Sequence, residues 1–111
     1  MEIVETTVFT RQILNLLSEE EYRCFQSELL ANPGRGPVIR GGGGIRKVRV
    51  ATGSRGKSGG ARVIYFWAVR KDTVLLLYLY AKNAAAELTP KQTAQLARIV
   101  KEEFGNESGD V

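Results

Sequence analysis

The stretch RVIYFWAVRKDTVLLLYLYA, residues 62–81, decides the fold of this chain. Each of its two halves is apolar at nearly every position, which is typical of strands buried on both faces of a sheet. Only the three polar residues 70–72 separate the halves. Because a connection this short permits only an antiparallel return, the sequence predicts a central β-hairpin with strands over 62–69 and 73–81.

Upstream of the hairpin, the pattern predicts a strand and two helices. Residues 2–7 end in β-branched side chains and favour a short first strand. Apolar residues then recur at helical spacing, and Ser18 with Glu21 forms a capping box that starts a second helix. Residues 32–34, Asn-Pro-Gly, end that helix. We therefore expect an α-helical hairpin with its corner at Ser18.

Two glycine-rich loops, over 33–44 and 52–60, flank one further strand. Between them, residues 45–50 are predicted to form a strand, in which residues 47–50 alternate between basic and apolar side chains. This alternation turns the valines to one face of the strand and the basic pair Lys47 and Arg49 to the other.

A capping box at Thr89 and Gln92, with Pro90 at the first helical position, starts a last helix. The element order predicts an α+β fold: a small antiparallel sheet of about four strands, an N-terminal helical hairpin and a C-terminal helix. We expect the helices on one sheet face and the other face partly open.

Length and composition fit one intracellular domain. The 111 residues support a single core, predicted over 1–105, with 106–111 as a flexible tail. Cys24 is the one cysteine, so no internal disulfide can form. No apolar run reaches membrane-spanning length, and no signal-peptide pattern opens the chain. The sequence predicts a cytoplasmic protein that does not bind membranes.

Positive charge is concentrated in the middle of the chain. Residues 29–71 hold ten basic side chains and no acidic one, whereas the net charge of the whole chain is only +4. A segment of one sign favours a polyanionic partner, of which RNA and DNA are the usual examples. The alternative is a solvated basic face without a partner.

Several common kinds of active site are excluded by composition. The chain has no histidine and a single cysteine, which removes Ser-His-Asp and Cys-His nucleophiles and zinc sites built from these residues. The acidic residues are split between the two ends of the sequence, so no two-metal cluster is indicated. Gly56-Lys57-Ser58 resembles part of a phosphate-binding loop, but Ala51 stands where the motif needs glycine and a strand follows. We expect a mechanism without metal or cofactor.

A group of basic residues and one tyrosine remains as the candidate site. Lys47 and Arg49 share a strand face, and Tyr80 and Lys82 share a face at the end of the last predicted strand. If these faces coincide, cations crowd together, and a nucleic-acid phosphate would offset their repulsion. The candidate residues are Arg46, Lys47, Arg49, Arg55, Lys57, Arg62, Tyr80 and Lys82. The alternative for each basic residue is a solvent-exposed side chain with no functional role, and the alternative for Tyr80 is a place in the core.

Crowded cations can also act on RNA chemically. RNA carries its own nucleophile, the ribose 2′-hydroxyl. A lysine whose pKa is lowered by neighbouring cations can accept a proton near neutral pH. Arginines stay charged and suit the clamping of phosphate oxygens.

Five segments, taken in order, resemble the RelE/HigB family of bacterial toxins, and the HigB branch in particular. They are Glu19-Glu20-Glu21-Tyr22-Arg23 with Phe25-Gln26, residues 43–51 (GGIRKVRVA), 59–65 (GGARVIY), 79–83 (LYAKN) and 87–89 (ELT). The likeness spans about residues 2–104. No single segment is highly specific, but the ordered set is.

The resemblance implies an activity, a site and partners. Members of the family cleave mRNA on the translating ribosome through the 2′-hydroxyl, and a cognate antitoxin neutralises them. It implies catalytic roles for Lys47, Arg49, Arg62 and Lys82. RNA binding by Arg46, Arg55, Lys57 and Tyr80 is predicted from the basic segment and the strand pattern alone. It also implies a HigA-like helix-turn-helix antitoxin, with operator DNA bound only through that antitoxin. RelE-type relatives carry an arginine and a tyrosine where Asn83 and Thr89 stand here, so the general acid and base are unassigned.

Two other functions stay open at this point. The same fold could form a non-catalytic RNA- or DNA-binding module, or a degenerate toxin that only holds its antitoxin. A binding module usually interleaves exposed aromatic residues for base stacking. Residues 29–62 contain no aromatic residue, which favours phosphate chemistry or ribosome docking.

Overall fold

The computed structural model describes residues 1–51, 60–81 and 88–105. Its elements follow the predicted order of strand, two helices, three strands and helix. They are β1 (Glu2–Glu5), α1 (Thr7–Leu16), α2 (Glu19–Ala31), β2 (Arg46–Val50), β3 (Ala61–Ala68), β4 (Thr73–Ala81) and α3 (Pro90–Phe104), with a 3₁₀ turn at Val69–Lys71. None of the described helices has the length and apolar character needed to cross a membrane.

The sheet has four strands in the order β1-β4-β3-β2. The β3–β4 hairpin is antiparallel as predicted, and its turn closes through Asp72, which adopts a left-handed conformation with φ of 52°. β2 also pairs antiparallel with β3. The sheet is nevertheless mixed and not wholly antiparallel, because β1 pairs parallel with β4.

Helices cover both faces of the sheet, so the expectation of helices on one face was wrong. The α1–α2 hairpin packs Phe9, Phe25 and Leu29 onto one face, which we call the hairpin face. α3 packs Val100 and Leu96 onto the other, the α3 face. The last helix packs on the second face because the β3–β4 hairpin is apolar on both sides, and both apolar faces must be shielded from water.

Both predicted capping boxes form. Ser18 Oγ accepts from the Glu21 amide at 3.1 Å, and the Glu21 carboxylate accepts from the Ser18 amide at 2.8 Å. Thr89 and Gln92 exchange the equivalent bonds at the start of α3. Reciprocal capping satisfies amides that the first helical turn cannot pair internally.

A β-bulge in β4 changes which side chains face which way. Ile64 pairs with Tyr78 and Tyr65 pairs with Leu76, so Leu77 is an extra residue in β4. Thr6, which caps α1, donates its hydroxyl to the Leu77 carbonyl at 2.9 Å. Beyond the bulge the alternation is inverted, because one inserted residue reverses every later side chain.

Candidate functional site

Three basic side chains of the predicted site lie on the α3 face of the sheet. On β2, Val48 and Val50 are buried on the hairpin face, so Lys47 and Arg49 point to the opposite side. On β3, Val63 and Tyr65 belong to the hairpin-face core, which turns Arg62 to the α3 face as well. The alternation proposed for β2 from sequence is therefore confirmed in the geometry.

Strand register brings these residues into two adjacent rows. Arg49 lies opposite Arg62, which lies opposite Tyr80. The next row joins Lys47 to Ile64. We call the group of Lys47, Arg49 and Arg62, which spans both of these rows, the cationic row. Side chains that lie directly opposite each other on neighbouring strands, such as Arg49 and Arg62, have Cβ atoms about 4.5–5.5 Å apart.

The cationic row lies toward one end of the α3 face, with Arg62 four residues along β3 from Phe66, whose ring contacts Phe104 of α3. The core contacts of α3 fall on the apolar part of this face, including Phe66 and Leu75. Arg49 is exposed, and Lys47 and Arg62 are half-buried. A partly solvated, positively charged surface of this kind suits a phosphate backbone, which can approach side chains whose stems are held by the sheet.

Arg46 lies apart from the cationic row. Its guanidinium donates to the carbonyls of Gly34 and Gly36 at 3.2 and 2.8 Å. Since Arg46 alternates with Lys47, it faces the hairpin side of the sheet. The structure thus separates Arg46 from the residues with which the sequence grouped it, and gives it a role in holding the loop between α2 and β2.

Tyr65 holds the same loop from β3. Its hydroxyl donates to the Pro33 carbonyl at 2.7 Å and accepts from the Gly36 amide at 3.0 Å. Burial raises the pKa of Tyr65, although the Gly36 hydrogen bond and the charge of Arg46 act in the opposite direction. Sequence reasoning took Tyr65 only as a strand residue. The sequence feature that could have indicated this role is the Pro-Gly loop, because the polar backbone groups of a loop that packs on a sheet need hydrogen-bond partners.

Tyr80 is placed beside the row but is largely buried. Its side chain is 8% exposed and belongs to the core on the α3 face. Its ring contacts the ring of Tyr78, with centroids 6.0 Å apart. The Leu77 bulge is what brings both tyrosines to the α3 face. In this structure Tyr80 therefore offers no open platform for stacking, whereas Tyr78 is half-buried.

Three predicted site residues, Arg55, Lys57 and Lys82, lie outside the described residues. So do Asn83, where the family motif departs, and the predicted tail over 106–111. Their expected roles stay predictions from the sequence.

A comparison with models of protein families identifies the family of this chain. Residues 38–109 match a family described as the RelE toxin of the RelE/RelB toxin–antitoxin system. This match covers well over half of the chain and includes β2, β3, β4 and α3.

A solved structure of the E. coli toxin RelE, a mutant with two arginine-to-alanine substitutions in the free state, has a similar fold. The TM-score is 0.60 at 17% sequence identity, over 88% of this chain and 94% of that one. At this identity the likeness shows the fold. The narrower resemblance to the HigB branch stays a prediction. The family match, together with this fold, establishes that the chain belongs to the RelE toxin family of toxin–antitoxin systems.

Proposed function

We propose that this toxin is an endoribonuclease that cleaves mRNA on the translating ribosome, without metal or cofactor, and that a cognate antitoxin neutralises it. The observation that supports this most directly is the cationic row, Lys47, Arg49 and Arg62, on one partly open sheet face. A single phosphate can contact cations from two neighbouring strands there. Because the proposed substrate is mRNA on translating ribosomes, the proposed site of action is the cytoplasm.

In the proposed reaction the 2′-hydroxyl oxygen attacks the adjacent phosphorus, and the bond from phosphorus to the 5′-oxygen breaks. The 2′-hydroxyl proton leaves to a base, and a second proton reaches the departing 5′-oxygen. The products are a 2′,3′-cyclic phosphate and a 5′-hydroxyl end. Arg49 and Arg62 suit the stabilisation of the negative phosphorane, because guanidinium donors can bind two oxygens at once.

Lysine is the candidate group for proton transfer. Lys47 on β2 and, from the sequence alone, Lys82 are the two lysines of the proposed catalytic set. Which of them serves as base or acid is left open, since Asn83 and Thr89 replace the family's usual residues. A site without histidine or a paired carboxylate has no strong base, so we expect ribosomal groups to align the 2′-hydroxyl and the phosphate.

The proposed antitoxin is a helix-turn-helix protein of the HigA type that masks the cationic row. Operator DNA would then be bound only through the antitoxin. Arg55 and Lys57 remain in the proposal as RNA-binding residues on sequence grounds alone.

The test is a reconstituted translation reaction with the purified toxin and mapping of mRNA 5′ ends. We expect cleavage on translating ribosomes, little cleavage of naked RNA, and no cleavage when a 2′-deoxynucleotide stands at the cut position. Arg62→Gln and Lys82→Gln should lower the cleavage rate by about a hundredfold or more. Arg11→Gln, an exposed change on α1, is the matched control and should cleave normally.

Two results would contradict the proposal. Cleavage that persists at a 2′-deoxynucleotide would exclude the 2′-hydroxyl as nucleophile. A folded wild-type toxin that binds ribosomes but leaves all mRNA intact would instead support the non-catalytic alternative.

A further inference from the structure

A small pocket lies between the start of α3 and β4. It has a volume of about 110 Å³ and is lined by Tyr78, Leu88, Gln92, Gln95 and Leu96. Its walls combine an aromatic ring, two leucines and two side-chain amides, and none of these lining residues is charged. Such a lining favours a neutral, flat ligand that carries hydrogen-bonding groups along its edge.

The pocket adjoins the cationic row through the register of the sheet. Tyr78 lies opposite Ile64, and Ile64 lies opposite Lys47. Neighbouring strands are about 4.8 Å apart, so the pocket's aromatic wall is roughly 10 Å from the strand that carries Lys47. A nucleotide whose phosphate lies on the row could therefore reach the pocket with its own base or with an adjacent one.

The capping box fixes how Gln92 presents its amide. Gln92 Oε1 accepts from the Thr89 amide at 3.0 Å, so the carbonyl end of the side chain is already engaged. The remaining end is the NH₂ group, which can only donate. Because the cap holds the side chain in one orientation, this donor is presented to the pocket with little further loss of rotamer freedom.

We propose that this pocket binds one nucleobase of the RNA held on the cationic row, stacked against Tyr78 and accepting a hydrogen bond from Gln92. Single-stranded RNA is commonly recognised by stacking on aromatic side chains and by hydrogen bonds to base edges. The proposal rests on the proposed function, since it names the part of the site that distinguishes one RNA sequence from another. It predicts that α3 sets a base preference next to the cut.

The first test is Gln92→Glu. A glutamate at this position can still accept from the Thr89 amide, so the capping box is kept while the donor is lost. We expect the mapped cleavage sites to lose, by on the order of tenfold, their preference for the base that accepts from Gln92. The control is Asn15→Asp, an exposed amide-to-acid change on α1, which packs on the opposite sheet face.

The second test compares Tyr78→Phe with Tyr78→Leu. Phenylalanine keeps the stacking surface and should leave the preference unchanged, whereas leucine should reduce both the preference and the cleavage rate. This pair gives an answer even if Gln92→Glu fails to fold, and thermal unfolding of each variant shows which ones are folded.

The outcomes separate the two proposals. If the wild type cleaves no mRNA, the proposed function fails and the pocket fails with it. If wild type, control, Gln92→Glu and Tyr78→Leu all cleave with the same base preference and rate, the pocket proposal is overturned while the endoribonuclease stands.

Discussion

Arg49 on β2 and Arg62 on β3 are direct cross-strand partners. The Lys47 amide donates to the Pro37 carbonyl and therefore points away from β3. Amides two residues apart in a strand point to the same side, so the Arg49 amide also points away from β3. The Arg49–Arg62 pair is therefore a non-hydrogen-bonded one, in which Cα atoms come to about 4.5 Å and side chains are closest. Like charges so placed destabilise a sheet, and a bound RNA phosphate would offset that cost.

Removing one charge of this pair should stabilise the free protein. We expect Arg49→Gln to raise the free energy of unfolding by about 0.5–1 kcal/mol at low ionic strength, which corresponds to a few degrees in Tm. The gain should shrink at high salt, because exposed charges are screened. Arg70→Gln, an exposed change in the 3₁₀ turn, is the control for a general charge effect. A loss of stability in Arg49→Gln would show that repulsion at this pair is not significant.

The sequence predicts the scaffold of this site well because the scaffold depends on local patterns. Alternation along β2 was enough to assign Lys47 and Arg49 to one face, and the capping box at Ser18 was enough to start α2. Arg46 shows the limit, because its partners, Gly34 and Gly36, come from a loop whose path no local pattern defines.

The orientation of Tyr78 and the parallel pairing of β1 escaped prediction for a related reason. Both depend on contacts between distant segments. Thr6 meets the Leu77 carbonyl at the bulge, and each residue of β1 pairs with a residue of β4 that lies 71 positions further along the chain. A bulge changes the face of every later residue in the strand without leaving a compositional signal.

The loop between α2 and β2 should loosen when Tyr65 loses its hydroxyl. Tyr65→Phe leaves the buried Gly36 amide and the Pro33 carbonyl without this partner. We expect a loss of about 1–3 kcal/mol in the free energy of unfolding, measured by urea titration. Amide exchange gives the local readout: Gly36 should exchange faster, while Ile39, bonded to the Ile45 carbonyl, should change less. Equal acceleration at both amides would indicate a global effect instead.

Stability should fall in alkali partly through Tyr22. Burial, with the hydrogen bond that Tyr22 donates to the Glu5 carboxylate, raises the pKa of the Tyr22 hydroxyl above its ordinary value of 10.0. Because the folded-state pKa is the higher one, the stabilisation is fully present below pH 10 and is lost as the pH rises above it. The difference in unfolding free energy between wild type and Tyr22→Phe should therefore be constant below pH 10 and shrink above. A difference that grows with pH would contradict the assignment.

Removal of metal ions should leave cleavage unchanged. The chain has no histidine and one cysteine, so we expect toxin treated with EDTA and then desalted to cleave mRNA on ribosomes at the untreated rate. Treating the toxin alone avoids stripping the magnesium that ribosomes need. If activity were lost and then restored by adding back a divalent ion, the proposed metal-free mechanism would be wrong.

Arg46 and Lys47 offer the sharpest separation of folding from function, because these neighbours point to opposite faces of β2. Arg46 donates to two loop carbonyls on the hairpin face, while Lys47 belongs to the cationic row. Replacing each with methionine removes one charge and keeps an unbranched stem. Arg46→Met should cost about 1.5–3 kcal/mol in unfolding free energy, since hydrogen bonds from a charged donor are lost. At a temperature where it remains folded, it should still cleave mRNA within a few-fold of the wild type.

Lys47→Met should behave in the reverse way. At a temperature where the variant remains folded, its cleavage on ribosomes should fall by about a hundredfold or more, because a group that contacts the reacting phosphate is gone. Urea unfolding and 5′-end mapping on the same two preparations check both halves of the prediction. If both variants lost activity in proportion to their loss of stability, the alternation of β2 would have no functional meaning. The cationic row would then be only a charged surface.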